Sequence, residues 1–300
     1  MSVLRWTTSR FEERRLATPR LDAEILIAAA LGLPRLQLYV QFDRPLGAEE
    51  LRAIREYVRR RQGGASVAYI VGKKEFFGLE FAVDERVLVP RPDTETLVDE
   101  ALARLRPAPR QDQDGPASVA AEPDVSPPAP PVFSPRIAEV GTGSGAIIVT
   151  LGKRLPGATL FAVDVSGEAL TVAEANAARH GVAVTFLMGD LDGPLAAHAP
   201  FALVVANLPY VPSGAIDGLA PEVRAEPRLA LDGGPDGLDL VRRLVAAAPA
   251  LLTPGGALVL EVGEGQAEQA ATLCREAGLV DVQMRRDLGA VDRVVSARKP

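Results

Sequence analysis

The segment Asn207-Leu208-Pro209-Tyr210 carries the strongest chemical signal in the sequence. It follows an apolar run and so leaves the end of a predicted strand. An amide nitrogen is a poor nucleophile because its lone pair is delocalised into the carbonyl. The side-chain oxygen of Asn207 and the backbone oxygen of Leu208 can accept its two N–H groups and turn the remaining lone-pair direction toward an electrophile. With Pro209 making the turn rigid and Tyr210 offering an aromatic face, the segment predicts group transfer to a planar amide or amine nitrogen.

A glycine-rich loop, Gly141-Thr142-Gly143-Ser144-Gly145, follows an earlier predicted strand. Its glycines permit a tight turn and let a ligand approach the backbone closely. The G-x-G-x-G spacing differs from the G-x-G-x-x-G of dinucleotide-binding loops, and the loop has no lysine for a phosphate. It therefore favours a cofactor without a pyrophosphate group.

Two aspartates follow the next two predicted strands. Asp164 lies 19 residues after Gly145, a position from which a carboxylate accepts both hydroxyl protons of a ribose. Asp190, preceded by Gly189, is placed to accept a hydrogen bond from the exocyclic amine of an adenine. Each feature alone is also explained by packing, by a helix cap or by an ordinary turn. Their order along the chain predicts S-adenosylmethionine as the cofactor and a methyl group as the group transferred.

The elements that must position these loops alternate between strand and helix patterns from residue 136 onward. Apolar strands separated by helices predict a parallel sheet covered on both faces. Ligands of such sheets bind beyond the carboxyl ends of the strands, where all four loops lie. The last two strands have no helix between them, which predicts a hairpin at the sheet edge. The fold class is therefore α/β, a doubly wound, mostly parallel seven-stranded Rossmann-like sheet, with strands at 136–140, 159–163, 183–187, 201–205, 257–262, 280–286 and 291–297.

The N-terminal part of the chain has helical patterns instead. Thr18, followed by a proline, predicts the cap of a helix over 20–31. Apolar residues at helical spacing predict a second helix over 48–62, which two glycines end. We therefore expect a small helical domain at residues 1–65.

The rest of the chain divides into a connector and a large domain. Short β-rich pieces predict a hairpin connector at 66–92, and the methyltransferase domain is expected at 93–300. Residues 107–135 contain nine prolines and almost no large apolar side chains. Such a composition cannot bury enough surface to fold, so it predicts a disordered insertion.

Composition limits the partners and the compartment. The single cysteine cannot form an internal disulfide, and two histidines do not form an ordinary zinc site with it, so we expect a reducing, cytoplasmic location and no metal. No apolar run approaches the roughly 20 residues of a spanning helix, so no membrane association is expected. The net charge is −6, although residues 1–75 carry 14 Lys and Arg against 9 Asp and Glu. A basic helix face is usually solvated, so charge alone predicts no nucleic-acid partner. We expect a monomer.

Several stretches resemble the bacterial protein-(glutamine-N5) methyltransferases of peptide-chain release factors, the HemK or PrmC family. The most specific are VLVPRPDTETLV at 87–98 and EPRLALDGGPDGLDL at 226–240. The resemblance covers nearly the whole chain apart from the proline-rich insertion. The other matching stretches are TPRLDAEILIAAALG at 18–32, VAYIVGKKEFFGLEF at 67–81, EVGTGSGAI at 139–147, AVDVSGEAL at 162–170, NLPYVP at 207–212 and DRVVSAR at 292–298.

This resemblance implies the acceptor, which is the glutamine of the Gly-Gly-Gln tip of a release factor, and so a role in translation termination. It also implies that the helical domain at 1–65 helps to bind that partner. The glycine loop, Asp164 and the pair Asp190-Leu191 would contact the cofactor, and Asn207 is expected at both the cofactor and the glutamine. Residues 91–95 would border the same cleft.

Two residues depart from the family pattern. The tetrapeptide is usually Asn-Pro-Pro-Tyr and has Leu208 as its second residue here, and the acid of the first strand, usually Asp, is Glu139. Because the backbone oxygen of Leu208 acts, we expect activity to survive. Asn-Leu-Pro-Tyr also occurs in rRNA adenine dimethyltransferases, whose target amine has the same two hydrogens, but the acidic methyltransferase domain argues against an RNA substrate. A non-catalytic cofactor-binding docking module is a further alternative.

Overall fold

The protein is described by a computed structural model that covers residues 2–105 and 134–300. The insertion predicted at 107–135 lies outside the described residues, apart from its last two. The helices are α1 (Ser2–Glu13), α2 (Pro19–Ala30), α3 (Gln37–Val40), α4 (Ala48–Gln62), α5 (Val67–Val71), α6 (Glu95–Leu105), α7 (Ala146–Arg154), α8 (Gly167–His180), α9 (Pro221–Arg224), α10 (Asp239–Leu251) and α11 (Ala267–Glu276). The strands are β1 (Lys73–Phe76), β2 (Leu79–Ala82), β3 (Arg136–Val140), β4 (Thr159–Asp164), β5 (Thr185–Met188), β6 (Phe201–Asn207), β7 (Leu252–Glu261), β8 (Val280–Arg286) and β9 (Asp292–Arg298).

The chain forms two compact units, and each combines separate parts of the sequence. The first contains Met1–Arg91 and Pro209–Gly237, and the second contains Pro92–Leu208 and Leu238–Pro300. The sequence assigned 209–237 to the methyltransferase domain, whereas the structure groups this segment with the N-terminal residues. Its hydrogen bonds, described below, explain that grouping.

The helices of the first unit enclose an apolar core. Helices α1, α2 and α4 pack around Phe11, Leu26, Ile54 and Val58, all of which are buried. Thr18 does not cap the backbone of α2 as the sequence predicted. Its hydroxyl instead donates to Asp22 Oδ1 at 2.7 Å, and Pro19 in the first turn has no N–H that needs a cap.

A buried arginine joins the helices of the first unit to its second chain segment. Arg61 Nε donates to Asp22 Oδ2 at 2.8 Å, and Arg61 Nη2 donates to Glu222 Oε1 at 3.4 Å. The buried carboxylate of Glu226 accepts from the backbone N–H of Val89 at 3.1 Å and from the guanidinium of Arg91. Buried charges are tolerated when they are paired in this way, so these contacts fix 209–237 within the unit.

Within that segment, two stretches run side by side. Val211 and Asp232 form a parallel bridge, with Val211 N donating to Leu231 O and Gly233 N donating to Val211 O, each at 2.9 Å. A Cβ at Gly233 would lie 2.6 Å from Pro209 O, which is too close for any side chain. The backbone that begins at Pro209 is therefore held by residues that follow it by more than twenty positions.

The second unit is built on the predicted seven-stranded sheet, which confirms the doubly wound α/β fold. The strand order is β5-β4-β3-β6-β7-β9-β8. All neighbours from β5 to β7 are parallel, and β9 pairs antiparallel with both β7 and β8. The central strands are buried along most of their length because helices cover the sheet, which explains their uninterrupted apolar sequences. No helix of the described residues is long and apolar enough to cross a membrane.

Candidate active site

The strand order places the glycine loop and Asn207 at adjacent strand ends. Strands β3 and β6 are parallel neighbours, with Val140 beside Ala206. After β3 the chain enters the loop at 141–145, and β6 ends at Asn207. The chain adds strands to one side of β3 first and then to the other, so this is the point at which the strand order reverses. Ligands of open α/β sheets bind at such a point.

The glycine loop lies against the segment that follows β6. Gly141 has a φ of +74°, and a Cβ there would lie 3.2 Å from Leu208 Cδ2 and 3.8 Å from Asn207 O. A side chain at this position would be strained and would press on Leu208. A Cβ at Gly143 would meet no atom within 4 Å, so the backbone there is open to a ligand.

Asp164 links the loops that follow β3, β4 and β5. Its Oδ2 accepts from Gly143 N at 2.8 Å and its Oδ1 accepts from Ser166 N at 2.9 Å. Its backbone oxygen accepts from Gly189 N at 3.0 Å. An ionised carboxylate has about four acceptor positions, so two of them remain for hydroxyl groups of a ligand.

Thr142 and Ser144, the two residues between the glycines, are buried and tie the loop to the interior. Thr142 Oγ1 donates to Glu139 Oε2 at 2.6 Å. The backbone oxygen of Ser144 accepts from Asn176 Nδ2 at 2.9 Å. The loop is therefore shaped in advance, and its backbone is the part available for ligand contacts.

Asp190 and Leu191 make contacts of their own in the loop after β5. Asp190 Oδ2 pairs with Arg243 of α10 at 2.6 Å, and the Asp190 side chain is 62% exposed. Leu191 has a φ of +48°, and its side chain is packed into the core. The loop is joined to Asp164 through the backbone N–H of Gly189.

A threonine holds the side-chain amide of Asn207. Asn207 Nδ2 donates to Thr94 Oγ1 at 3.2 Å. Leu208 is 3% exposed, and its side chain belongs to the hydrophobic core. The tetrapeptide crosses the boundary of the units, since Pro209 and Tyr210 belong to the first unit.

Proteins of known families resemble this chain along nearly its whole length. A family profile described as PrmC N-terminal domain matches residues 2–72, and one described as Methyltransferase domain matches 137–225. A protein of Geobacter sulfurreducens named release factor glutamine methyltransferase is 43% identical over 99% of this chain and 95% of its own length. A protein of Chlorobaculum tepidum with the same name is 40% identical over 99% of this chain and 96% of its own length.

The chain belongs to the release factor glutamine methyltransferases.

A solved structure shares the fold of this family member. The crystal structure of a methyltransferase from Pyrococcus furiosus has a TM-score of 0.50 and 15% identity, over 82% of this chain and 97% of that chain. At this identity the likeness concerns the fold alone.

The strand-end loops of this methyltransferase fit the cofactor that its sequence predicts. Open backbone at Gly143 and the remaining acceptor positions of Asp164 suit a nucleoside with two ribose hydroxyls. Among the described residues, no hydrogen bond or ion pair of a lysine reaches residues 141–145. This agrees with a cofactor that has no pyrophosphate.

Two supporting residues of the methyltransferase were not assigned from its sequence. Thr94 is 113 positions from Asn207, and the sequence placed only its segment near the cleft. Glu139 was noted only as a departure from the family pattern. A polar residue in the middle of an apolar strand was the available signal, because such a residue needs a buried partner.

Burial gives Glu139 an unusual protonation state. The side chain is buried, its Oε2 accepts from Thr142 and from Ile148 N, and its Oε1 has no partner among the described residues. Burial raises the pKa of this carboxyl to about 8, against the lowering effect of the two hydrogen bonds. Glu139 therefore carries a proton at neutral pH and acts as a neutral support of the glycine loop.

The raised pKa of Glu139 makes stability depend on pH. The unfolded chain releases this proton near pH 4.5, whereas the native protein keeps it up to about pH 8. Raising the pH between these values therefore favours unfolding, with a slope from this residue of up to about 1.4 kcal/mol per pH unit. We expect Glu139→Gln to remove that slope, measured by urea unfolding between pH 5.5 and 7.5.

The exposed Glu174 of α8 provides the matched control, and Glu174→Gln is expected to keep the native slope. An unchanged slope in Glu139→Gln would show that Glu139 is ionised in the native protein.

Proposed function

We propose that the enzyme transfers a methyl group from S-adenosylmethionine to the side-chain amide nitrogen, N5, of the glutamine in the Gly-Gly-Gln motif of peptide-chain release factors. One observation carries the proposal beyond family membership. The glycine loop lies beside Asn207 and Leu208, because a Cβ added at Gly141 would come within 3.8 Å of both residues. Residues suited to a methyl donor therefore adjoin residues suited to an amide acceptor.

Asn207 and Leu208 would hold the acceptor. The side-chain oxygen of Asn207 and the backbone oxygen of Leu208 would each accept one N–H of the glutamine amide. This arrangement would turn the nitrogen toward the methyl donor and favour positive charge on nitrogen during transfer. As the N–C bond forms, the S–CH3 bond would break, S-adenosylhomocysteine would leave, and the nitrogen would lose one of its two protons to water. Pro209 would keep the turn rigid, and Tyr210 would offer its ring to the planar amide.

The strand-end loops would hold the cofactor. S-adenosylmethionine, when bound, supplies a methyl group activated by a sulfonium. The backbone of residues 141–145 would border it, and Asp164 would accept from its ribose hydroxyls. Asp190 would contact the adenine amine if its side chain left Arg243, and Leu191 would contribute through its backbone.

We extend the proposal to the roles of the domains, the oligomeric state and the location of the enzyme. The domain at 1–65 would recognise the release factor, 66–92 would connect it, and 93–300 would carry out the transfer. The enzyme would act as a monomer in the cytoplasm, where release factors work, without binding nucleic acid directly. The negative charge of the chain beyond residue 75 supports the last point, because an RNA-binding surface needs basic residues.

Methyl transfer to purified substrates tests this function. We expect labelled methyl from S-adenosylmethionine on a class I release factor, and none on a copy whose Gly-Gly-Gln glutamine is changed to alanine. Label on bare ribosomal RNA instead would show that the Asn-Leu-Pro-Tyr form marks an adenine methyltransferase. Cofactor binding without label on either substrate would indicate a docking module.

A further inference from the structure

Thr94 lies at the start of a rigid element beside the reacting loop. It ends a short 3-10 helix at Pro92–Thr94 and directly precedes α6, which packs on β6, β7 and β9. Leu97, Val98 and Ala101 anchor α6 in the interior, and Thr94 itself is 4% exposed. The hydroxyl of Thr94 is therefore fixed in position by the fold of the second unit.

The hydrogen bond from Asn207 Nδ2 to Thr94 Oγ1 fixes the orientation of the whole side-chain amide. An amide is planar, and its nitrogen and oxygen point in directions about 120° apart. The torsion that rotates the amide of asparagine is broad, so little in the residue itself selects one orientation. Holding Nδ2 at Thr94 therefore also sets the direction of Oδ1.

We propose that Thr94 is a positioning residue for the methyl transfer, acting through Asn207. Its hydroxyl anchors the nitrogen end of the amide, so that the oxygen end meets an N–H of the acceptor glutamine. This inference rests on the proposed function. It explains why a buried hydroxyl accepts a hydrogen bond from a side chain that is expected to hold the substrate.

A merely structural role for Thr94 predicts a different result from a positioning role. If the hydroxyl of Thr94 has only a structural role, its removal lowers stability whether or not Asn207 is present. If the hydroxyl positions Asn207, its removal lowers the rate of methyl transfer only while the Asn207 amide is present. Thr94→Val keeps the shape of the side chain and removes the hydroxyl, and Thr94→Ser restores it. Thr96→Val is the matched control, since Thr96 lies two residues further along and is only half-buried.

The test is methyl transfer to a release factor by the full-length chain and its variants. We expect Thr94→Val to lower kcat about tenfold, which corresponds to the free energy of about one hydrogen bond, with cofactor affinity unchanged. Thr94→Ser should recover most of the rate, and Thr96→Val should match the native enzyme. In an Asn207→Ala background, Thr94→Val should lower the rate no further.

A native kcat in Thr94→Val, or the same tenfold loss in the Asn207→Ala background, would overturn the positioning role while leaving the proposed function intact. Absence of transfer by the native chain would overturn the proposed function, and the role of Thr94 with it.

Discussion

Replacing Asn207 with alanine is expected to lower kcat/KM for release factor methylation by about 10²–10³-fold. The change removes one of two acceptors that orient the glutamine amide, and loss of one preorganised hydrogen-bonding group in an active site has an effect of this size. The glycine loop and Asp164 are untouched and only the cofactor contact of Asn207 itself is lost, so cofactor affinity should fall by no more than about tenfold. Steady-state transfer of labelled methyl, together with calorimetric cofactor binding, measures both quantities.

Gln283→Ala is the matched control for this prediction. Gln283 is an exposed amide on β8, at the far edge of the same sheet, where it donates to Asp281. Its loss should leave kcat/KM unchanged. A native kcat/KM in Asn207→Ala would contradict the acceptor role, and an equal loss of cofactor affinity would indicate a collapsed strand end instead.

Replacing Asp164 with alanine is expected to weaken cofactor binding at least about 100-fold. Asp164 holds Gly143 and Ser166 by hydrogen bonds of 2.8 and 2.9 Å, and it is the proposed partner of the ribose hydroxyls. A hydrogen bond to a charged group contributes about 1.5–3 kcal/mol, so the loss of two ligand bonds exceeds two orders of magnitude in affinity. Titration calorimetry with S-adenosylmethionine provides the measurement.

Glu168, an exposed carboxylate in the first turn of α8, is the control for Asp164. Glu168→Ala should bind the cofactor within about twofold of the native enzyme. If Asp164→Ala also bound the cofactor with native affinity, other residues at the carboxyl ends of the strands would have to hold the ribose.

Much of the second unit could be predicted because its sequence signals are local. Apolar runs predicted the strands from β3 to β7, and alternation with helices predicted their parallel arrangement. Strand β7 begins at Leu252 rather than at 257, since Leu252 pairs with Phe201 ahead of a register irregularity, and the residues around Pro254 lack an apolar pattern. The segment 209–237 was not predicted to join the N-terminal helices, because its 3-10 turns have no periodicity and its bridge from Val211 to Asp232 spans 21 residues.

The sequence indicated the residues of the candidate site that lie at strand ends. It did not indicate the residues that support them. A residue that ends or directly follows a buried parallel strand must lie at the carboxyl ends of the strands, so Gly143, Asp164 and Asn207 could be placed from the sequence alone. Thr94 and Arg243 contact these loops only after the chain has folded, across separations that no local pattern records. The same limit applies to Glu139, whose raised pKa depends on complete burial.

The discontinuity of the first unit has a consequence for synthesis on the ribosome. Residues 1–91 emerge well before Glu222 and Glu226, which Arg61 and Arg91 need as partners. At translation rates of about 5–20 residues per second, the delay is on the order of ten seconds. During that time the helices have an incomplete set of ion pairs, and a nascent chain that stops before residue 237 cannot complete the unit.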